Sequence, residues 1–462
     1  MITYIEIDGF KSFKNFKMEF TPLTVIAGVN AAGKSNLFDA FRLLSSLAET
    51  DKIQRAFREQ RGDLLELFTH FDDQSVSEYM SFVVEMLTSP IVKDAWGATE
   101  RLKYTRLRYE LKLHRFTNAV GMQDVEVVGE CLRTIKHESD KWIQILPRET
   151  AYHWRPKVTT GKRQIPYIFT GEYNGIPTVF VPQDGSQGNK RQFPLSHATR
   201  TVLSSFDSVD FKHILAAKTE MQSWRFLQLN PEDLRLPASK TVGEDAISET
   251  GKNLAAALYR LRQENPYNLR EISRELHSFL PSFVDVDVYD DVENKQYVTL
   301  LTDVDGKQYT SRVLSEGTLR VLALCVLRQD DQYNGMLSFE EPENGIHPFR
   351  IRMMTELLKD LTVDFYDVEM PLRQVIINTH SVLFIQEMNK WLDSDRNLSI
   401  CFAQMVHSSF THNGNRKQLF ATKVTPVSRV SRQLTIPFTE EERKMSIQMI
   451  KEYMQANDSE IN

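Results

Sequence analysis

A complete GxxxxGK(S/T) pattern occupies residues 28–35, which read Gly28-Val29-Asn30-Ala31-Ala32-Gly33-Lys34-Ser35. An apolar run at residues 23–27 (LTVIA) precedes it, and apolar residues recur at helical spacing from Lys34 to about Leu47. A strand that feeds a glycine loop and then a helix is typical of a phosphate-binding loop, because glycines let the backbone wrap around a polyphosphate and the helix N-terminus favours negative charge. The alternative, a glycine turn that only caps a helix, fits this context less well.

The residue types of the loop predict a task for each of its members. Lys34 is long enough to reach the terminal phosphates of a nucleoside triphosphate, and Ser35 offers an oxygen to Mg²⁺. Asn30, Gly33 and Asn36 are the other predicted nucleotide contacts. A phosphate loop alone does not choose among the many families of nucleotide hydrolases, so the remaining motifs decide the class.

A second motif starts a helix. Residues 314–318 (LSEGT) precede the apolar helical run LRVLALCVL. Ser315 and Gly317 therefore stand at a helix N-terminus built of small residues, which can approach a phosphate carried by another subunit. The plainer interpretation is a simple helix cap, and the motif alone does not exclude it.

Two apolar strands end in chemically active residues. Residues 336–341 (MLSFEE) end in Glu340 and Glu341, of which the first can hold magnesium and the second can orient or deprotonate an attacking water. Residues 375–381 (VIINTHS) end in Thr-His-Ser around His380. An acidic turn and a structural histidine are the alternatives for the two strand ends.

Taken together, five segments resemble the ATP-binding cassette (ABC) ATPases that form the head domains of chromosome-maintenance and DNA-repair proteins. They are GFKSF (9–13), GVNAAGKSN (28–36), LSEGT (314–318), SFEEPENGIHP (338–348) and INTHS (377–381). The SFEEPENGIHP segment is most similar to overcoming-lysogenization-defect nucleases and to the standalone ATPases of bacterial phage-defence operons. The resemblance covers about residues 1–50 and 310–385.

The resemblance implies a fold and a mode of action. The fold is α/β, a two-lobed ABC ATPase head in which a P-loop core joins an N-terminal antiparallel β-lobe, with a large mixed insertion between the phosphate loop and the LSEGT motif. The ligands are ATP and Mg²⁺, enclosed in a homodimer where the phosphate loop of one copy faces Ser315 and Gly317 of the other. The implied site residues beyond the loop are Lys11 and Ser12 beside the nucleotide, Glu340 at the metal, Glu341 at the water and His380 at the terminal phosphate.

The sequence departs from the ABC pattern at several positions. Glu340 stands where most of the superfamily has aspartate, and Glu316 and Thr318 stand where glycine and glutamine are usual. No Q-loop glutamine is evident, although Gln183 follows the run TVFVP and is a candidate. The glutamate at position 340 affects how magnesium would be bound, and the changes at 316 and 318 affect how the dimer would close.

The rest of the chain predicts the domain organisation. Residues 1–50 and 245–385 form the expected ATPase core, and residues 51–244 read as a β-rich insertion of unknown role without the heptads of a coiled-coil arm. Residues 386–462 read as strands and a helix that begins at a capping box, Thr439–Glu442, and is a candidate partner-docking segment.

Composition narrows the setting. The net charge of −6 announces no nucleic-acid binder, although the stretches 101–108 and 155–163 are locally basic. Three isolated cysteines predict a reducing cytoplasm, and neither a signal peptide nor a membrane partner is expected.

The functional hypothesis is an ATPase that gates a partner effector in bacterial anti-phage defence. Only about 80 residues follow His380, so we expect the effector nuclease or toxin to be a separate protein. Two alternatives stay open: a DNA-repair or DNA-tethering ATPase that binds DNA, and a non-catalytic scaffold in which ATP is structural.

Overall fold

The computed structural model describes most of the 462-residue chain. The described residues are 1–159, 161–183, 190–196, 198–241, 243, 245–412, 415–427, 444, 448 and 452. The capping box predicted at Thr439–Glu442 lies outside them.

The chain contains both strands and helices along its length. The strands, in chain order, are β1 (Ile2–Asp8), β2 (Phe16–Glu19), β3 (Leu23–Ala27), β4 (Tyr79–Leu87), β5 (Ile91–Lys93), β6 (Thr99–Arg101), β7 (Arg106–Thr117), β8 (Gln123–Thr134), β9 (Phe169–Tyr173), β10 (Ile176–Pro182), β11 (Lys190–Pro194), β12 (Arg225–Leu227), β13 (Ala238–Ser239), β14 (Phe283–Asp291), β15 (Gln296–Asp303), β16 (Gln308–Thr310), β17 (Gly335–Glu340), β18 (Arg373–Thr379), β19 (Leu398–His412) and β20 (Asn415–Pro426). The α-helices are α1 (Lys34–Glu49), α2 (Ile53–Arg58), α3 (Leu64–Leu67), α4 (Ala151–Trp154), α5 (Lys212–Gln222), α6 (Pro231–Arg235), α7 (Leu254–Glu264), α8 (Tyr267–Phe279), α9 (Glu316–Gln329), α10 (Ile351–Asp360) and α11 (Val382–Asn389).

One lobe is a five-stranded antiparallel sheet in the order β2-β1-β4-β7-β8. Buried and more exposed side chains alternate along most of its strands, because one face of the sheet is buried. Ile5 and Ile7 of β1 and Phe82 of β4 belong to the same core as Leu37 and Phe41 of α1. The apolar face of α1 therefore packs against this sheet, and this contact fixes the position of the helix that follows the phosphate loop.

The second lobe contains a six-stranded sheet in the order β12-β17-β18-β3-β19-β20. The strands from β12 to β19 are parallel, and β20 returns antiparallel along β19. Strands β3 and β18 are buried along their whole length, as central parallel strands require. The register pairs Ala27 with Thr379 and Asn378 with Glu340, so the carboxyl ends of β3, β18 and β17 lie side by side.

The helix that begins at the LSEGT motif belongs to this lobe. Helix α9 packs against α6, α8 and α10, and its apolar residues join the second core together with Val375 and Phe339. Beside it, β13, β15 and β14 form a small antiparallel sheet, to which β16 adds at β15. The predicted α/β architecture, with an antiparallel lobe beside a parallel P-loop core, is confirmed.

The strands of residues 51–244 extend both lobes. Strands β4, β7 and β8 supply three of the five strands in the antiparallel sheet, β12 forms the edge of the parallel sheet, and α5 packs on α1. The remaining strands of this stretch form a three-stranded sheet, β11-β10-β9, and the β5-β6 pair, while β13 joins β15 in the small sheet. A separate role for residues 51–244 remains a prediction.

None of the helices in the described part of the chain has the length and apolar character that crossing a bilayer requires.

Candidate nucleotide-binding site

The phosphate loop connects β3 to α1 through positive backbone angles. Gly28, Ala31 and Gly33 have φ values of +152°, +62° and +83°. The Lys34 ammonium lies inside the curve and donates to the carbonyl oxygens of Gly28 at 2.6 Å and Val29 at 2.8 Å. Burial lowers the pKa of Lys34, and the negative charges of two nearby glutamates partly oppose that shift. The loop therefore surrounds the buried ammonium group of Lys34.

Two glycines of the loop rest directly on the β19-β20 pair. A Cβ atom on Gly28 would lie 2.4 Å from the Ala403 carbonyl oxygen, and one on Gly33 would lie 1.9 Å from Thr422 Oγ1. No side chain fits at either position without displacing its neighbour. The sequence pattern demands glycine at these positions, but it contains no signal that Ala403 and Thr422 are the reason.

Lys11 and Ser12 both lie beside the start of α1. Ser12 Oγ is 2.6 Å from Thr422 Oγ1 and accepts a hydrogen bond from Asn36 Nδ2 at 2.8 Å. Lys11 Nζ pairs with Asp39 Oδ2 at 2.6 Å, one helical turn further on. The structure thus brings both residues of the GFKSF segment to the phosphate loop.

The end of β17 carries oxygen atoms that fit a divalent cation. Glu340 Oε1 and Asn378 Oδ1 are buried, and neither has a hydrogen-bond partner among the described residues. Asn378 Nδ2 donates to Ser35 Oγ at 3.4 Å, which links the loop to the strand ends. The described residues contain no group of three His, Cys, Asp or Glu side chains able to hold a metal. Mg²⁺ is commonly bound by one or two protein oxygens and completes its shell with phosphate and water oxygens.

Glu341 and His380 form a direct pair at the neighbouring strand ends. His380 Nδ1 lies 2.7 Å from Glu341 Oε1, and both side chains are partly exposed. Glu341 has a strained φ of +49°, and its backbone N–H donates to the Asn378 carbonyl at 2.8 Å. The turn after β17 is therefore joined to the end of β18 by both backbone and side chain.

Two further charged residues belong to this site and were not identified from the sequence. Glu343 is buried and accepts a hydrogen bond from the Thr379 hydroxyl, and burial raises its pKa. Arg61 Nη2 lies 3.9 Å from Glu340 Oε2. Glu343 sits within a recognised motif and could have been suspected, whereas Arg61 follows α2 without any pattern around it.

Ser315 and Gly317 stand apart from the loop within one copy of the chain. Ser315 is exposed and caps α9, accepting from Thr318 N–H at 3.2 Å. A Cβ atom on Gly317 would lie 2.7 Å from the Gly345 carbonyl oxygen, so the helix tip packs on the turn that follows Glu341. No hydrogen bond or ion pair within the described chain joins Ser315 or Gly317 to residues 28–36.

Gln183 lies at the end of β10 in the three-stranded sheet and is exposed. No hydrogen bond joins it to residues 28–36 in the part of the chain that the structure describes. The assignment of a Q-loop glutamine therefore remains a prediction.

Three arginines of the two basic stretches are used in ion pairs. Arg106 is buried and pairs with Asp140 at 3.1 Å, as does Arg155. Arg108 pairs with Glu85 at 2.9 Å and with Glu110 at 2.8 Å. These three guanidinium groups are consumed by the fold and are not available to line a basic groove.

A phosphate loop, paired acids and a histidine thus meet on adjacent parallel strand ends beside an antiparallel lobe. Residues 23–386 match the family described as "AAA domain, putative AbiEii toxin, Type IV TA system". The chain belongs to this family.

Solved structures of SMC heads are similar over nearly the whole chain. The SMC head bound to the C-winged helix domain of ScpA is 12% identical, covers 93% of this chain and 98% of its own, and has a TM-score of 0.48. The Pyrococcus furiosus head bound to the C-terminal domain of ScpA is 10% identical, covers 97% of this chain and 99% of its own, and has a TM-score of 0.45. The Thermotoga maritima head is 10% identical over 92% and 99%, with a TM-score of 0.36. No curated protein matches the chain.

Replacing Gly33 by alanine tests the support of the loop. A methyl group there would meet Thr422 Oγ1 in a backbone conformation that alanine disfavours. We expect Gly33→Ala to weaken ATP binding by about tenfold or more, because strain of this kind costs on the order of 1–3 kcal/mol. Gly175→Ala is the matched control, since Gly175 has φ +77° with no atom within 4 Å of the added methyl. Equal ATP affinity of the two variants in equilibrium titrations would contradict the assignment.

Proposed function

We propose that this protein binds ATP with Mg²⁺ in a homodimer, hydrolyses it, and uses the cycle to gate a partner effector. The observation that carries the proposal is the Glu341–His380 pair, 2.7 Å apart, on the strand ends next to the Lys34 loop. A pair of this kind matches the task of holding a water against a terminal phosphate. Family membership and the phosphate loop support nucleotide binding.

Each residue of the site has a proposed task. Lys34 and the backbone amides of Asn30 and Gly33 hold the phosphates. Asn36, joined to Ser12, and Lys11 support the nucleotide at the start of α1. Ser35 and Glu340 would hold Mg²⁺, which when bound neutralises phosphate charge. Glu340 Oε1, which is buried and has no hydrogen-bond partner in the part of the chain that the structure describes, fits that role even though glutamate replaces the usual aspartate.

Glu341 is the proposed group that orients or deprotonates the attacking water, and His380 the proposed contact to the terminal phosphate. Their mutual hydrogen bond fixes the imidazole ring against the carboxylate. Thr379, the residue before His380, donates its hydroxyl to Glu343. The same Thr379 Oγ1 accepts a hydrogen bond from the Ser381 N–H at 2.9 Å. The histidine is thus supported on both sides along the chain.

The position of the α9 tip supports the proposed homodimer. Ser315 is exposed at the N-terminus of α9, and in the proposed dimer it faces the phosphate loop of the second copy. Glu316 replaces a glycine of the usual motif, yet its carboxylate pairs with Arg320 at 2.8 Å. That pairing turns the extra negative charge toward its own helix and supports a phosphate-facing role for Ser315 and Gly317.

A role in bacterial anti-phage defence, with a separate effector nuclease or toxin, is the biological setting we propose. The family description names a toxin of a type IV toxin–antitoxin system, which fits a function in growth arrest more than in repair. The ion-paired arginines 106, 108 and 155 weaken the DNA-tethering alternative. A neighbouring gene that encodes a nuclease or toxin would favour defence, and neighbouring repair genes would favour the alternative. The cytoplasm is the proposed compartment.

Glu341→Gln tests hydrolysis. The amide cannot accept the proton of water, so we expect turnover to fall by at least about a hundredfold. ATP should still bind, and the ATP-bound dimer should accumulate and elute as a larger species from a sizing column. Phosphate release and sizing chromatography in the presence of ATP measure the two effects. Glu356→Gln is the control, because Glu356 is a half-exposed α10 residue whose ion pair, among the described residues, is with its helical neighbour Arg352. Turnover of Glu341→Gln at the wild-type rate would show that Glu341 is not catalytic. A wild-type protein that binds ATP without hydrolysing it would favour the scaffold alternative.

Ser315→Asp tests the α9 tip without removing its helix cap. Aspartate and asparagine both cap helices well, but only aspartate adds a negative charge. We expect Ser315→Asp to lower ATP-dependent dimerisation and turnover by about tenfold or more relative to Ser315→Asn, because like charges about 4 Å apart repel by roughly 1–4 kcal/mol. ATP binding to the monomer should stay unchanged. If both variants behave alike, Ser315 serves only as a cap.

A further inference from the structure

We propose that the open face of the β19-β20 pair is the subsite for the base and ribose of the nucleotide, with Phe420 as the residue on which the base stacks. The inference rests on the proposed nucleotide binding at residues 28–36. It assigns a ligand-contacting role to the shelf formed by Met405, His407 and Phe420, far along the chain from the loop.

The first argument is the position of these strands. Strand β19 pairs with β3 only as far as Phe402, which lies opposite Ala27 at the start of the phosphate loop. Beyond Phe402, β19 continues with β20 as its partner. The pair therefore extends past the carboxyl edge of the parallel sheet, which is the edge where ligands of such sheets bind.

The second argument is that the phosphate loop already rests on this pair. Gly28 lies against the backbone of Ala403, and Gly33 lies against the side chain of Thr422. Thr422 Oγ1 also contacts Ser12 Oγ at 2.6 Å, and Ser12 Oγ in turn receives Asn36 Nδ2. The shelf therefore begins where the loop passes into α1.

The third argument is the side-chain direction along the two strands. Met405 lies opposite Thr422, and His407 lies opposite Phe420. Because successive side chains of a strand point to opposite faces, Phe420 shares a face with Thr422 and stands roughly 7 Å from it along the strand. That spacing is comparable to the reach of a ribose with its base.

The two faces of the pair differ sharply in burial. Leu419 and Ala421, on the opposite face, are buried with Phe71 in a small core. Phe420 is 61% exposed and Met405 is 36% exposed. An exposed ring and an exposed thioether beside a polar phosphate site offer a flat apolar surface that a base can cover.

The shelf is held in place by contacts of its own. The His407 ring lies 5.1 Å from the Phe420 ring, and His407 Nε2 is 3.1 Å from Asp72 Oδ2. The Asp72 N–H donates to the Gln418 carbonyl at 2.9 Å, which ties that loop to β20. The ring is therefore positioned before a base arrives, so that little ordering is needed on binding.

The chemistry of the shelf indicates which bases it accepts. Stacking on a phenylalanine ring tolerates any base, because every base has a π face. A two-ring purine covers more of the Phe420 ring and the Met405 thioether than a one-ring pyrimidine does. The proposed ligand class is thus a purine nucleoside triphosphate, with ATP and GTP both accepted and pyrimidine nucleotides bound more weakly.

The experiment compares two ligands, ATP and inorganic tripolyphosphate, both with Mg²⁺, on the full chain. We expect Phe420→Ala to bind ATP about tenfold more weakly, since removing one aromatic partner of a stacked base has an effect of this order. Its affinity for tripolyphosphate, which has no base, should equal that of the wild type. Phe420→Trp should keep ATP affinity, and its added tryptophan emission should change with ATP and not with tripolyphosphate.

Trp96→Ala is the matched control, because Trp96 is 76% exposed on the β5-β6 pair. It should leave both affinities unchanged. Wild-type affinity of Phe420→Ala for ATP overturns the proposal, and so does an equal loss of both ligands, which would mean a disturbed loop. If the wild type itself binds tripolyphosphate but not ATP, the subsite is wrong and the loop assignment stands; if it binds neither, the proposed function fails first.

Discussion

The alignment of three parallel strand ends is the constraint on which the site depends. The register that pairs Ala27 with Thr379 and Asn378 with Glu340 brings the phosphate loop, the acids and the histidine to one edge of the sheet. A shift of one residue in β18 would turn its side chains to the opposite face and separate His380 from Glu341. Complete burial of β3 and β18 stabilises that register, because both strands contribute apolar residues to cores on the two sides of the sheet.

The same edge concentrates charge and strain that the fold has to offset. Three carboxylates occur within four residues, at Glu340, Glu341 and Glu343, and Glu341 adopts a positive φ. Like charges this close destabilise the folded state unless cations or hydrogen-bond donors stand nearby. Lys34, His380 and the Thr379 hydroxyl supply part of that compensation. Glu340 Oε1 is buried without a hydrogen-bond partner among the residues that the structure describes, and it is the point where a bound cation would add the rest.

The sequence predicts the parts of this arrangement that are local. The loop between a strand and a helix, the acids at the end of β17 and the histidine after β18 each follow from a contiguous pattern, and the α/β class they predict is confirmed. Contacts between distant segments have no such pattern. Nothing in the sequence indicates that Thr422 lies against Gly33, that Arg61 faces Glu340, or that the arginines at 106 and 155 are buried on Asp140. Those contacts depend on how the two lobes fold together, which no short segment encodes.

The central claim is that one nucleotide is enclosed by the loop of one copy and the α9 tip of another. A mixture of two variants with impaired turnover, Lys34→Ala and Ser315→Asp, tests it most directly. A mixed dimer contains one site with an intact loop facing an intact tip, so the mixture should hydrolyse ATP well above either variant alone. A mixture as inactive as its components, under conditions where mixed dimers form, would contradict the shared site.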